Sequence, residues 1–425
     1  MNHAIKMTAL AVFAASFAAP ALADKATTKG GFEIKSEDGN FSAKLGGRIH
    51  FDGNYVIEED DLGSAEKRNS TTDFRRARLS VSGKAYDWSY LFENDFAGQN
   101  AGSGTGFREM WIGRNVLGKN MLRIGQAKPF RGMEEQTSSN DITFMERPFA
   151  TATGIYGKQF TQGIFLNGTQ GMLGYGVSVY NNKQAGDTNS GSQGNNNQDL
   201  GFNGRVYAFP INSDTTTLHV GLSASSDKLS VINTLDNMGV ITAQAGGFSV
   251  QPRFTRNGGL RETILNGSNR FSKQETVAAE FAFREGPFTV QAEYALAQFT
   301  DSERRISGTP PVPATPAADQ DVETYYIQAS YFVTDHNKRY NTGRGAFGNP
   351  SVKPGAGAVE LKARYDSIEN KDVTGNPEIA GYTVGVNYYA TPNVRFMVEY
   401  NDGEFKSGTT SKELSAITAR AQFSF

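Results

Sequence analysis

Alternation of apolar and polar residues with a period of two, repeated from end to end of the chain, most narrows what this sequence can fold into. From Phe41 to Ile57 one face carries Phe41, Leu45, Ile49, Phe51, Tyr55 and Ile57, and the other carries Lys44, Arg48, His50, Asp52 and Asn54. The same split recurs over 200–208, 218–224, 277–283, 288–296, 325–333, 358–366, 382–388 and 394–400. Successive side chains of a strand point to opposite faces, so each segment predicts a strand with one apolar and one polar face. A helical period is hard to find. The segments are about ten residues long, the length a tilted strand needs to cross a bilayer.

No stretch reaches the roughly 18 consecutive apolar residues of a spanning helix, and the mean hydropathy is −0.46. A chain this polar crosses a membrane only as a closed β-barrel. A soluble sandwich or propeller is the competing fold, and it would bury its apolar faces behind Val, Ile and Leu. Here those faces end in aromatics, at Tyr55, Tyr294, Tyr325, Tyr365, Tyr388 and Tyr400, as the interfacial girdles of a barrel in lipid would. The pattern holds roughly 16 to 18 candidate strands, and an even number is required. The expectation is an all-β, 16-stranded antiparallel transmembrane β-barrel.

Connections fall into two classes. "FREGPF" (283–288) and "YYATPNV" (388–394) are tight turns, whereas 181–199, 302–320 and 334–357 are long and rich in Gly, Pro and Asn. Short turns on the periplasmic side and long loops outside are the outer-membrane pattern, so all three long segments are expected outside. The N-terminus fits export: a lysine at position 6, an apolar run from Met7 to Ala19 and "ALA" at 21–23 predict a secretory leader over 1–23, with one barrel over 24–425. The chain has no cysteine and a net charge of −2. It therefore uses no disulfide framework, and its charge points to no nucleic-acid partner.

The polar face of a large barrel lines a water-filled lumen. In "FRRARLSVSG" (74–83), Arg76 and Arg78 share the lumenal parity of Ser80 and Ser82, opposite Ala77, Leu79 and Val81. Arg75 has the outward parity. An arginine facing lipid costs ~2–4 kcal/mol at the bilayer midplane, so Arg75 requires a bulge or an interfacial position. Arg123, Arg205, Arg364 and Arg395 also have lumenal parity. Two readings stay open for these side chains: they draw anions into the lumen, or they brace the wall against Glu93, Asp95, Glu280 and Glu293. Guanidinium forks match the oxygens of carboxylate and phosphate.

"KGGFEI", "FSAKLGGRI", "FRRARLSVSGKAYDWSYLFENDF", "LRIGQAKPFRGMEEQTSSNDITFMER", "RYDSI" and "VGVNYYATPNVRFMVEY" occur in that order. Together they resemble the phosphate-selective porin family over almost the whole chain. The resemblance implies a trimeric porin of the bacterial outer membrane, embedded in its lipid, with an inward-folded loop and cationic side chains guiding small phosphate-like anions and no cofactor. Carried over by motif, the cations are Lys29, Lys44, Arg48, Arg75, Arg76 and Arg147; parity adds Arg78. The constriction is placed in 129–153, with Arg131, Glu134 and Glu135, and with Arg108 on the strand before it. Members of the family carry a lysine where this chain has Glu135 and an acid where it has Arg108. An Arg108–Glu135 pair would then keep charge balance without a lysine to hold phosphate.

Other classes fit less well. A sugar-specific or general diffusion porin, or a non-conducting barrel serving as adhesin or receptor, would use the same fold. An enzyme would need placed catalytic groups. Only His50, His219 and His336 remain after the leader, none within a motif. "DTNSGSQGNNNQD" (187–199) lacks the closing Glu of a calcium loop, and "GRGAFG" (343–348) lacks the lysine of a phosphate-binding loop.

Overall fold

The computed structural model describes residues 23–27, 32–59, 70–97, 106–182, 200–229, 231–235, 241–246, 248–253, 255, 262–269, 271–302, 306–307, 312–313 and 317–425. Sixteen of the described strands close into one antiparallel barrel. They are β1 (Phe41–Glu59), β2 (Ser70–Ala85), β3 (Trp88–Asp95), β4 (Gly106–Val116), β5 (Asn120–Ala127), β6 (Thr161–Gln170), β7 (Leu173–Asn181) and β8 (Leu200–Asn212). There follow β9 (Thr216–Lys228), β10 (Phe271–Glu285), β11 (Phe288–Ser302), β12 (Gln320–Phe332), β13 (Ala358–Asn370), β14 (Glu378–Tyr389), β15 (Val394–Ser407) and β16 (Thr410–Ser424). Each pairs with the next, and β16 returns to β1 from Ser424↔Arg48 to Leu414↔Glu59, with one register shift between Ser415 and Ala416, so no edge is left open. Phe32–Ser36 adds a short ribbon to the start of β1, and the segment Ala23–Thr27 pairs with it.

The polarity is inverted relative to a soluble protein. Val220, Leu222, Val277, Tyr294, Tyr325, Val398 and Ile417 lie on the exposed outer face, while Thr276, Glu280, Glu293, Arg364, Glu399 and Arg420 are buried inside. Such a surface is stable only against lipid. Most apolar core residues pack where connecting segments fold into the lumen. Phe149, Ile155, Tyr156, Ile264, Leu265 and Phe299 form one such cluster.

The β1–β2 ladder resolves the parity of Arg75. Pairing runs Arg48↔Arg78 and His50↔Arg76, then shifts so that Phe51 faces Phe74. Arg75 is the extra residue of a bulge, which re-aims it away from lipid. Phe51 and Phe74 keep their outward places, with ring centroids 5.3 Å apart.

Strand direction corrects one placement. Counting from β1, the segment 333–357 between β12 and β13 lies at the end of the short turns, not among the long outer loops. It is long because it enters the lumen. Arg284 and Arg205 on the wall donate to the carbonyls of Lys338, Arg344 and Gly345, and the Tyr207 hydroxyl donates to Thr342 O. Gly345 has φ +57°, and a Cβ there would lie 2.7 Å from the Tyr207 ring, so the turn needs glycine.

Candidate functional site: a lumen narrowed from both ends

The segment 128–160, between β5 and β6, folds into the barrel and carries two single-turn helices, α1 (Met133–Gln136) and α2 (Phe149–Ala152). It lacks the two-residue period because it is not part of the wall. The wall meets its main-chain groups with charged side chains. Glu293, Asp366 and Glu399 accept from the amides of Glu134, Phe149 and Met145 at 2.6, 2.9 and 2.7 Å. Lys362, Arg364, Arg395 and Arg420 donate to the carbonyls of Thr143, Glu146, Ile142 and Met145 at 3.0, 2.9, 3.0 and 2.6 Å. Buried polar groups demand such partners. From the turn end, Asn349 Nδ2 reaches Asn140 O at 2.8 Å, so the two inward segments touch.

Two cavities of about 500 Å³ each flank this segment. The one toward the loop end is lined by Arg75, Arg76, Arg147, Lys158 and Arg253, with Glu146 the only carboxylate among its described lining residues. The one toward the turn end is lined by Arg48, Arg76, Arg78, Arg123, Lys128, Arg147 and Arg344 against Glu93 and Glu109. Arg76, Arg147 and Gln159 border both. A chain of net charge −2 therefore concentrates positive charge along its lumen.

The arginines divide between the two readings. Arg78 braces the wall, 2.9 Å from Glu93 and 2.8 Å from Asp95, and Arg205 does so at 2.8 Å from Glu280. Arg48 shares Glu93 at 2.7 Å and donates to Ser139 Oγ at 2.7 Å. Arg75 holds Glu146 with two hydrogen bonds of 2.6 and 2.8 Å. Arg76 has no carboxylate within ion-pair distance among the described residues. It lies 3.3 Å from His50 Nδ1. Arg147 donates to the carbonyls of Glu134 and Thr137, and its nearest carboxylate oxygen, on Glu134, is 3.9 Å away. Lys44 is exposed near the turn end, and Lys29 lies outside the described residues.

Several constriction residues are placed differently from expectation. Arg131 points into the wall, buried against Asp227 at 3.1 Å and the Tyr180 hydroxyl at 2.5 Å. Gly157 makes room for it, since a Cβ there would come within 2.6 Å of the guanidinium. Glu134 also faces the wall, at Gln291. Arg108 pairs with Asp95 at 3.4 Å and not with Glu135. Glu135 takes only a 3.3 Å bond from Gln159, while Lys128 Nζ donates to its main-chain oxygen at 2.7 Å. The expected Arg108–Glu135 balance is therefore absent because Asp95, on the adjacent strand, claims the arginine.

Sequence reasoning missed Lys128, Arg344 and Arg420. Parity does place Arg420 inside, between Ala419 and Ala421; nothing local marks Lys128 or Arg344. His50 lies between Arg76 and Asn140, His219 between Tyr340 and Glu280, and His336 beside the Thr334 hydroxyl. The 187–199 stretch, weighed as a calcium loop, lies outside the described residues.

Lys128 gives the lumen a pH response. Burial, then the charge of Arg147, pushes its ammonium down to about 7, against the opposing pull of Glu135 and Glu109. It loses its charge at a lower pH than a free lysine does. Anion preference should therefore decline as pH rises from 6 to 8 and become flatter in Lys128→Met, which reversal potentials in a KCl gradient measure.

The sequence model of the family described as phosphate-selective porin O and P matches residues 43–425. Porin O of Pseudomonas aeruginosa is 28% identical over 429 residues, covering 92% of this chain and 90% of its own. Among solved structures, the anion-selective porin from Comamonas acidovorans superposes with a TM-score of 0.55 at 11% identity, covering 91% of this chain and 100% of that one. The outer-membrane channel DcaP of Acinetobacter baumannii gives 0.54 at 12%, covering 92% and 99%. Because the family's pattern spans the entire barrel, from β1 to the final residue, this chain belongs to the phosphate-selective porin family and is a channel of the bacterial outer membrane.

Proposed function

We propose that this anion-selective channel passes small oxyanions by diffusion and releases phosphate readily. The observation that supports the reading is the excess of cations over carboxylates along both cavities, with Arg76 and Arg147 at the level they share. Field and not net charge governs which ion enters a confined lumen. The release half of the reading rests on Glu135, which lines neither cavity but whose buried carboxylate, with no cation within ion-pair distance among the described residues, opposes a divalent anion through its field. We infer a trimeric assembly from the family resemblance and a cleaved leader from the lysine, apolar run and "ALA" of residues 1–23.

Phosphate titrated against chloride current in planar bilayers tests this. Weak block is expected in the wild type and a gain of about tenfold in Glu135→Lys. Adding Arg108→Asp is not expected to help, because it sets a second carboxylate beside Asp95. Tight phosphate block of the unmodified channel would show that other residues hold the ion, and clear cation selectivity would overturn the reading as a whole.

A further inference from the structure

The two cavities differ in more than position. The loop-end cavity has no aromatic or large aliphatic side chain among its described lining residues, whereas the turn-end cavity interleaves its cations with Leu91, Trp111, Met121, Phe130 and Phe160. A strongly hydrated inorganic ion gains nothing from such side chains. An anion with a flat apolar body does.

Arg123 and Arg344 join Arg76 and Lys128 as cations there with no ion-paired carboxylate among the described residues. The Arg123 guanidinium lies over the rings of Trp111, Phe130 and Phe165 at 5.6, 5.3 and 5.8 Å, and no described carboxylate is within ion-pair distance of it. Arg344 projects from the inward segment 333–357, whose main chain Arg205 holds at 2.6 and 2.8 Å while its own guanidinium stays exposed and unpaired among the described residues. One carboxylate, Glu109, is fixed by Trp111 Nε1 at 2.9 Å, and its field reaches both arginines. It acts as a resident competitor for an incoming carboxylate.

We propose that the turn-end cavity is a dwell site for aromatic carboxylates, with Arg123 and Arg344 taking the carboxylate and Trp111, Leu91 and Met121 contacting the ring. The inference rests on the anion-channel reading and adds to it a substrate class and a place. Burying one face of a ring should favour benzoate over acetate by about tenfold.

Block of chloride current by potassium benzoate and potassium acetate, applied from both sides of the bilayer, tests the site. Benzoate is expected to block at about tenfold lower concentration than acetate. Arg344→Gln should weaken benzoate block about tenfold, and Glu109→Gln should strengthen it. Equal block by the two anions, or an Arg344→Gln channel with unchanged benzoate block, would overturn the proposal. The reversal potential measured in the same bilayers separates the two readings. Anion selectivity with equal block removes only the aromatic site; cation selectivity removes both.

Discussion

Replacing Arg76 by glutamine is expected to lower the chloride-to-potassium permeability ratio about tenfold. Arg76 borders both cavities, is 5% exposed and has no described carboxylate partner, so its charge reaches the ion undiminished. A unit charge a few ångströms from a permeating ion is worth about 1–4 kcal/mol between the limits of bulk water and a protein surface, and a decade needs about 1.4. Arg76→Lys should retain most of the selectivity. The glutamine variant should also unfold no more easily than the wild type, because an unpaired buried cation next to Arg75 is a liability to the fold. Lost selectivity together with lost stability would mean that Arg76 is a strut after all.

Glu146→Ala should free the inward segment. Glu146 receives Arg75 twice and Arg420 at 3.2 Å; its removal strands the Arg75 guanidinium inside the barrel, while Arg420 keeps Asp52. Breaking a buried pair of this kind costs about 3–5 kcal/mol. Single-channel recordings should show larger, flickering conductance, and the thermal transition should fall. Quiet openings of unchanged size would refute the role. Burial raises the Glu146 carboxyl, but Arg75 and then Arg420 more than offset it and hold it well below the usual carboxylate range. A depressed carboxyl contributes stability that is present above the unfolded value of about 4.3 and is lost as pH falls through the folded one. The wild type should therefore show no flicker from this source between pH 6 and 4.

Parity read the wall well. It put Arg76 and Arg78 inside, and the cost of charge in lipid required the bulge that the ladder shows at Arg75. It could not tell a brace from a free cation, because that depends on which neighbour arrives across the lumen. Arg131 finds Asp227, distant in sequence, and Arg108 takes Asp95 on the adjacent strand in place of Glu135. The inward fold of 333–357 was hidden for a different reason. A polar, glycine-rich segment reads the same whether it meets bulk water or a water-filled lumen, and only the direction of β12 distinguishes the two.

The seam between β16 and β1 joins residues as far apart as Asp52 and Arg420, 368 positions along the chain. Arg420 also grips Met145 O and Glu146, Gln422 reaches Asn140 O, and across the seam Arg48 holds Ser139. The staples of the inward segment therefore straddle the junction made when the two ends of the chain meet. Contacts this distant in sequence form late. A half-built barrel has a groove in place of a bore, with the segment tethered along one rim only. Shutting the cylinder and setting its aperture are a single event in assembly.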